Sequence, residues 1–321
     1  MNKWTKLGQI FSPQIVDDSV ERPWMANFAQ CPSAIVLDDT LRVFFSCRPE
    51  NDSNGQAVSY TTFADFDARD MSNLVRVHDS PVLPLGDLGS FDEFAVYPTS
   101  VIRVGDELWM YYAGWTRMQS VPFNTAIGLA KSVDNGLSFH RTSIGPIVSA
   151  SPDEPFVLSG PKVRYFEGQF FMHYLAGKRW VKRAGRPEIV YKIRMATSID
   201  GLNWSKVNKD LVSDVFGEDE CQAGPDIHFR GGRYHMYFVY RQGFDFRTSP
   251  GRGYHIGYAV SDDLYTWERC DELAGITYSE TGWDSEMHHY PHVFVVNDEV
   301  YMIYNGNEFG KYGFGLAKLE N

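Results

Sequence analysis

Apolar and polar residues alternate with a period of two through five stretches: CPSAIVLDDTLRVFFS, YPTSVIRVGDELWMYYAG, GPKVRYFEGQFFMHYLAG, GPDIHFRGGRYHMYFVY and YPHVFVVNDEVYMIYNG. Such alternation puts every second side chain on one face of a strand, and the Asp, Gly or Asn break in each stretch marks a hairpin turn. Pro32, Pro98, Pro161, Pro225 and Pro291 occupy the same place in each stretch, 63 to 66 residues apart, so the stretches are copies of one unit. A third strand follows in AIGLAKS, KIRMATS, HIGYAVS and GFGLAKL. In three units a Ser-x-Asp turn (Ser132, Ser198, Ser261) then leads to an aromatic residue (Phe139, Trp204, Trp267) that opens an outermost strand. The last unit stops at its third strand, at Asn321, whereas WTKLGQIFSP at the N-terminus aligns with those outermost strands.

The pattern predicts one all-β domain over residues 1–321, a five-bladed β-propeller. Its blades fall at about 27–88, 89–152, 153–216, 217–281 and 282–321 plus 3–13. Trp4 then supplies the strand missing from the last blade, so no open sheet edge remains. An open sandwich of duplicated hairpins is the alternative. Residues 49–56, 116–124, 178–187 and 242–252 fall between second and third strands, and the last two of these insertions read as mobile rims.

Strand parity nominates the residues that face the channel. The position after each proline holds Ser33, Thr99, Lys162, Asp226 and His292, all polar, and the next position is mostly apolar. Counted back with the same parity, Asn27, Glu93, Phe156, Glu220 and Glu286 lie five before each proline and Ala29, Ala95, Leu158, Gln222 and His288 three before, with Tyr97 and Tyr290 immediately before. Three glutamates are thereby expected at one end of the channel, above an Asp–Lys–His layer. Arg48, Arg117, Arg179 and Arg241 follow the second strands and bring cations to that end, with Trp115, Tyr240, Asn305 and Asn307 among them. Arginine there either pairs with the glutamates or clamps a carboxylate or phosphate of a ligand.

Composition trims the options. A net charge of −11 argues against nucleic acid or a membrane surface as partner. Cys31, Cys47, Cys221 and Cys270 form no CxxC pair and no zinc spacing. His288 and His292 share a strand face that His289 does not, so these histidines read as hydrogen-bonding groups, and neither metal nor cofactor is expected. The N-terminus lacks an apolar signal core, which reads as a cytoplasmic protein; a secreted chain shorn of its signal has the same sequence. GxSxG, P-loop and GxGxxG motifs are absent from the sequence.

The repeated Pro-x-Val/Ile, Met-Tyr-Tyr and Gly-Leu-Ala-x-Ser-x-Asp-Gly-x-x-Phe pattern, running from Trp4 to Leu319, resembles the five-bladed propeller glycosidases: arabinanases and xylosidases, invertase-like fructosidases and mannoside phosphorylases. The resemblance implies three channel acids acting as base or nucleophile, general acid and helper. The chain departs from the arabinanase pattern in carrying Cys31 where an aspartate precedes the first-blade proline; Glu220-Cys221 echoes the invertase Glu-Cys pair. The expected function is glycosidic cleavage with Glu220 as general acid, Glu93 and Glu286 as base and helper, and Asp226 positioning the sugar or raising the acid's pKa. Arg48, Trp115, Lys162, Arg179, Arg241, Tyr97, His288, Tyr290, His292 and Asn307 are expected to bind the carbohydrate. A phosphorylase or glycosyltransferase holding phosphate or a sugar phosphate on the cations, and a non-catalytic glycan-binding propeller, are the alternatives.

Overall fold

The computed structural model describes residues 2–15, 20–247, 249 and 251–320. Asn321, expected to end the last strand, and Thr248 and Pro250 of the 242–252 insertion lie outside the described residues. Among the described residues, twenty strands form five four-stranded antiparallel sheets. Blade 1 is β2 (Asn27–Leu37), β3 (Thr40–Arg48), β4 (Tyr60–Asp67) and β5 (Leu74–Val77). Blade 2 is β6 (Ala95–Val104), β7 (Glu107–Arg117), β8 (Phe123–Ser132) and β9 (His140–Arg141), and blade 3 is β10 (Leu158–Phe166), β11 (Gln169–Arg183), β12 (Arg186–Ser198) and β13 (Ser205–Lys206). Blade 4 is β14 (Cys221–Arg230), β15 (Arg233–Arg241), β16 (His255–Ser261) and β17 (Glu268–Arg269). Blade 5 joins β18 (His289–Val296), β19 (Glu299–Asn305) and β20 (Phe314–Leu319) to β1 (Trp4–Phe11) from the other end of the chain. Trp4 pairs with Leu319 and Phe11 with Phe314, so the ring closes as the repeats require. The expected loop at 178–187 is instead the tip of a long β11–β12 ribbon, in which Arg179 pairs with Val190 and Arg183 with Arg186.

Aromatic side chains of the middle strands fill the spaces between blades: Phe45, Tyr112, Tyr174, Phe238 and Tyr304 are all buried. Four blades also bury a carboxylate at the entry to the innermost strand and tie it to a cation of the outermost strand. Asp92 binds Arg141 (2.8 Å), Glu154 binds Lys206 (2.8 Å), Glu220 binds Arg269 (2.6 Å) and Asp284 binds Lys6 (2.7 Å). The phenols of Tyr112, Tyr174 and Tyr304 donate to three of these carboxylates at 2.9–3.0 Å. Blade 4 has Phe238 at the tyrosine's place, and there the Gln222 amide donates to Glu220 (2.9 Å). Buried carboxylates persist only with such partners, because an unpaired buried charge is expensive.

Within each inner strand a bulge opposes two residues to one on the next strand. The doubled pairs are Cys31-Pro32, Pro98-Thr99, Gly160-Pro161, Gly224-Pro225 and Tyr290-Pro291. Beyond the bulge, Ser33, Ser100, Lys162, Asp226 and His292 form one layer facing the channel. Ser100 replaces the expected Thr99 because the bulge in blade 2 sits one residue later.

Deleting residues 1–13 removes the strand paired with β20 and the Lys6 partner of Asp284. The truncated protein is expected to aggregate or to melt several degrees lower; an unchanged melting temperature and solubility would show that β1 does not close the ring.

Candidate functional site

A cavity of about 1060 Å³ opens at the end of the channel where the inner strands begin, lined by residues of all five blades. Its lower wall is built from the bulges. Cys31, Gly160, Gly224 and Tyr290 have φ of 56°, 60°, 55° and 50°, the left-handed region that costs on the order of 1–3 kcal/mol for a residue other than glycine. A Cβ on Gly160 would meet only Leu175, at 3.8 Å, so the glycine leaves open space rather than filling a tight contact. Above the bulges Gln30, Tyr97, Ser159, Ala223 and His289 face the cavity.

The bulge also reverses the side-chain parity upstream of it, because one extra residue exchanges the two faces of a strand. Ala29, Ala95, Leu158, Gln222 and His288, expected on the channel face, are therefore buried between or within blades. His288 lies 3.3 Å from Asp284 and packs on Tyr304, and His289 takes its place at the cavity. Glu220 is fully buried; it accepts from the Val215 and Phe216 N–H groups (2.8 and 2.9 Å) and pairs with Arg269, far from the position of a channel acid. Glu93 is also away from the cavity and accepts from the Gly89 N–H (2.9 Å). Glu286 does reach the cavity, at its rim and exposed to solvent, so the three glutamates do not converge. Glu308 is the other rim carboxylate, held by Lys311 (2.9 Å) and Tyr312 (2.8 Å).

The channel layer forms the floor. Lys162 lines the cavity at 4% exposure and donates to His292 Nδ1 (3.0 Å), whose Nε2 donates to the Ala34 carbonyl (3.1 Å). Burial, reinforced by the Lys162 charge, pushes His292 down to about 4 against the pull of Asp226, whose Oδ2 lies 3.0 Å from the same Nδ1. Asp226 lies beneath, outside the cavity. It receives Arg164 (2.6 Å) and the Val293 N–H (2.8 Å), and although burial opposes its charge, Arg164 and Lys162 hold its carboxyl well below the usual range. It can neutralise the floor but cannot touch a ligand in the cavity. Lys162, with that carboxylate already bound to Arg164, is lowered by burial to about 8.

The four arginines divide. Arg117 binds Asp52 (2.7 Å), and Arg179 binds Asp219 and Glu218, so neither faces the cavity as a free cation. Arg48 does line it, bonded to the hydroxyls of Ser59 and Tyr97 (both 3.1 Å) with no carboxylate partner among the described residues. Arg241 is buried behind the wall, stacked on Phe246 (3.5 Å) and donating to Tyr191 (3.1 Å), again without a described carboxylate. Trp115 stands in one aromatic wall, 4.8 Å from Phe123, and Tyr254, Phe246 and Phe309 form the other. Asn307 holds the loop that precedes β18, its Oδ1 accepting from the Glu286 N–H (2.8 Å) and its Nδ2 donating to the Gly282 carbonyl (2.9 Å). Of the four cations that line the cavity, Arg186 and Arg247 are paired with Glu188 (3.4 and 2.6 Å), whereas Arg48 and Lys162, at the base of the aromatic walls, have no carboxylate within ion-pair distance among the described residues; Glu286 stands at the rim.

The fold places the chain in the class of five-bladed β-propellers. It superimposes on BT0996, in a structure of its RGII complex, with a TM-score of 0.72 at 18% identity, covering 98% of this chain and 90% of that one. With a member of the GH130 family of mannoside phosphorylases, a family that contains glycoside hydrolases targeting β-1,2-mannosidic linkages in Candida mannan, the TM-score is 0.69 at 14% identity over 100% and 94% of the two chains. A thermostable family-43 glycoside hydrolase gives 0.60 at 14% identity over 94% and 91%. No family model matches the chain. Over 319 residues it is 33% identical to the uncharacterized proteins Rv1502 (strain ATCC 25618 / H37Rv) and MT1551 (strain CDC 1551 / Oshkosh) of Mycobacterium tuberculosis, with 99% of each chain covered, and it belongs to the family of these proteins.

Folding costs Lys162 part of its proton affinity, and this has a readable pH signature. Unfolded lysine titrates near 10.4, so between about pH 8 and pH 10 the unfolded chain binds more protons than the folded one and stability from this group rises with pH. Lys162→Met is expected to gain most over the parent at and below pH 8, with the gap closing toward pH 10 in paired melting curves. A gap that does not change with pH would mean that Lys162 titrates normally.

Proposed function

We propose that the protein is a carbohydrate-active enzyme that makes or breaks a bond at an anomeric carbon, using phosphate or an anionic saccharide held on Arg48 and Lys162. The observation that carries this reading is the pair of cavity-facing cations, Arg48 and Lys162, that have no carboxylate within ion-pair distance among the described residues and stand between aromatic walls. Anions are the ligands that such cations bind most strongly, and arginine matches phosphate and carboxylate in geometry as well as charge.

The distribution of acids supports phosphate rather than water as the attacking group. Hydrolysis needs two carboxylates, about 5–9.5 Å apart across the scissile bond. Glu220 and Glu93 are committed elsewhere, and Glu286 alone among the expected acids lies at the cavity. Phosphorolysis needs only one. A phosphate oxygen attacks the anomeric carbon, the glycosidic C–O bond breaks, and the Glu286 carboxyl gives its proton to the departing oxygen. In the transfer direction the Glu286 carboxylate takes the acceptor's proton and phosphate leaves onto the cations. The second rim carboxylate, Glu308, is held by Lys311 and Tyr312, and the lack of a second uncommitted acid at the cavity among the described residues also favours a second reading, a glycan-binding propeller without turnover.

Inorganic phosphate is expected to raise the melting temperature saturably, and Arg48→Met to abolish the rise. Neutral sugars shifting it while phosphate does not would overturn the anion reading. With disaccharides and phosphate, sugar 1-phosphate release should fall about 10²–10⁴-fold in Glu286→Gln while the phosphate-induced shift stays. Phosphate and sugar binding without turnover in the parent protein would leave the binding reading.

A further inference from the structure

Blade 5 carries a backbone feature that the other blades do not show among the described residues. Between β19 and β20, Glu308, Phe309 and Gly310 are successively left-handed, with φ of 51°, 60° and 81°. Glycine takes this conformation freely; glutamate and phenylalanine do not, since Cβ crowds the following carbonyl. Such a turn survives only if its surroundings over-determine it. Here two blades do so. Gln30, from the inner strand of blade 1 and 3% exposed, donates its amide to the Phe309 carbonyl (2.7 Å). The Asn307 N–H is tied to the Trp283 carbonyl (2.7 Å), and Gly310 has no room for a Cβ above Asn305.

The strained turn brings Glu308 to the rim of the cavity and Phe309 into its wall. Phe309 lines it, with its ring edge-on to Tyr254 and Phe246 (both 6.1 Å between centroids) and 5.8 Å from His289. The ring is half-buried, with the Arg247 guanidinium over it at 6.0 Å from the centroid, a side chain that a ligand stacking on that face would displace or join. The carboxylates of Glu286 and Glu308 stand at the same rim as acceptors for hydroxyl groups. An apolar aromatic face beside hydroxyl acceptors suits a pyranose, whose ring presents C–H groups on one side and hydroxyls at its edge.

We propose that Phe309 is the platform on which the sugar ring of the ligand stacks, and that the left-handed turn pinned by Gln30 exists to present it. This rests on the anion-binding reading above, in which the floor holds phosphate and Phe309 reads the sugar attached to it. The ring sets specificity for a saccharide over bare phosphate.

Thermal-shift titrations with inorganic phosphate and with the 1-phosphates of glucose, galactose and mannose separate the two parts. The parent protein is expected to bind at least one hexose 1-phosphate about tenfold more tightly than phosphate. Phe309→Leu, which keeps apolar bulk in the turn, should bring that ratio near one while phosphate affinity is kept; Phe309→Tyr should retain the preference within about threefold. Phe309→Gly relieves the strain as well and is expected to lose the preference without a large fall in melting temperature. A full preference in Phe309→Leu, or its loss in Phe309→Tyr, would overturn the platform. A parent protein that binds phosphate with no preference for any hexose phosphate would overturn it too, leaving the anion floor standing. A parent that binds neither would remove both readings.

Discussion

The innermost strand of every blade is the edge of its sheet, and the N–H groups on that edge have no strand to pair with. Left unmade, each such buried bond costs on the order of 1–3 kcal/mol. Channel side chains of the preceding blade meet the need. Ser33 Oγ accepts from the Val101 N–H (2.9 Å), Ser100 Oγ from Val163 (3.0 Å) and Asp226 from Val293 (2.8 Å), and His292 returns to blade 1 through the Ala34 carbonyl. Lysine cannot accept, so Lys162 breaks this succession between blades 3 and 4, and Arg164 of blade 3 restores the link by binding Asp226. The belt fills the channel with polar cross-ties. A ligand is thereby confined to the mouth above the belt, and Lys162, the member of the layer not used as an acceptor, is the one left facing it.

The same need for partners explains where the acids went. A carboxylate at an inner-strand entry can serve chemistry or can clasp the outermost strand, and in four blades it does the latter. Asp92, Glu154, Glu220 and Asp284 each bind a cation of the outer strand, and in three blades a tyrosine, although Arg269 also binds Asp271. Blade 1 shows no such carboxylate among the described residues; Arg76, on its outermost strand, binds Asp65 of the third strand instead. A carboxylate saturated in this way is acceptor-only and closed to a substrate, whatever its place in the repeat.

Much of this was legible in the chain. The two-residue alternation, the five prolines and the displaced WTKLGQIFSP strand define the ring and its closure, and the polar residue after the prolines identifies the belt at Ser33, Lys162, Asp226 and His292. Parity counting failed upstream because a bulge is a single-residue event that periodicity does not report. Gly160 and Gly224 before their prolines were the available signal, since glycine there serves a left-handed backbone. The basic residue two after the aromatic in Trp4-x-Lys6, Phe139-x-Arg141, Trp204-x-Lys206 and Trp267-x-Arg269 was a second one, pointing to buried carboxylate partners. Phe309 carried no sequence signal, because nothing about a Glu-Phe pair announces a left-handed turn.

Nearly every feature that makes the mouth of the channel suited to a ligand works against the folded state. Cys31, Tyr290, Glu308 and Phe309 sit in a backbone region that disfavours them. Lys162 is desolvated enough to weaken its hold on a proton, and Arg241 is buried at 3% exposure without a described carboxylate. None of these is needed by the propeller as such, for the other blades manage the same turns with glycine or with paired charges. The belt and the four clasps tie the surroundings of the cavity together by hydrogen bonds and ion pairs, and cross-linking of that kind allows strained residues and unpaired cations to be held in one place. The cost is local and the support is distributed around the ring, as expected of a site grafted on a repeat fold rather than a fold shaped by its site.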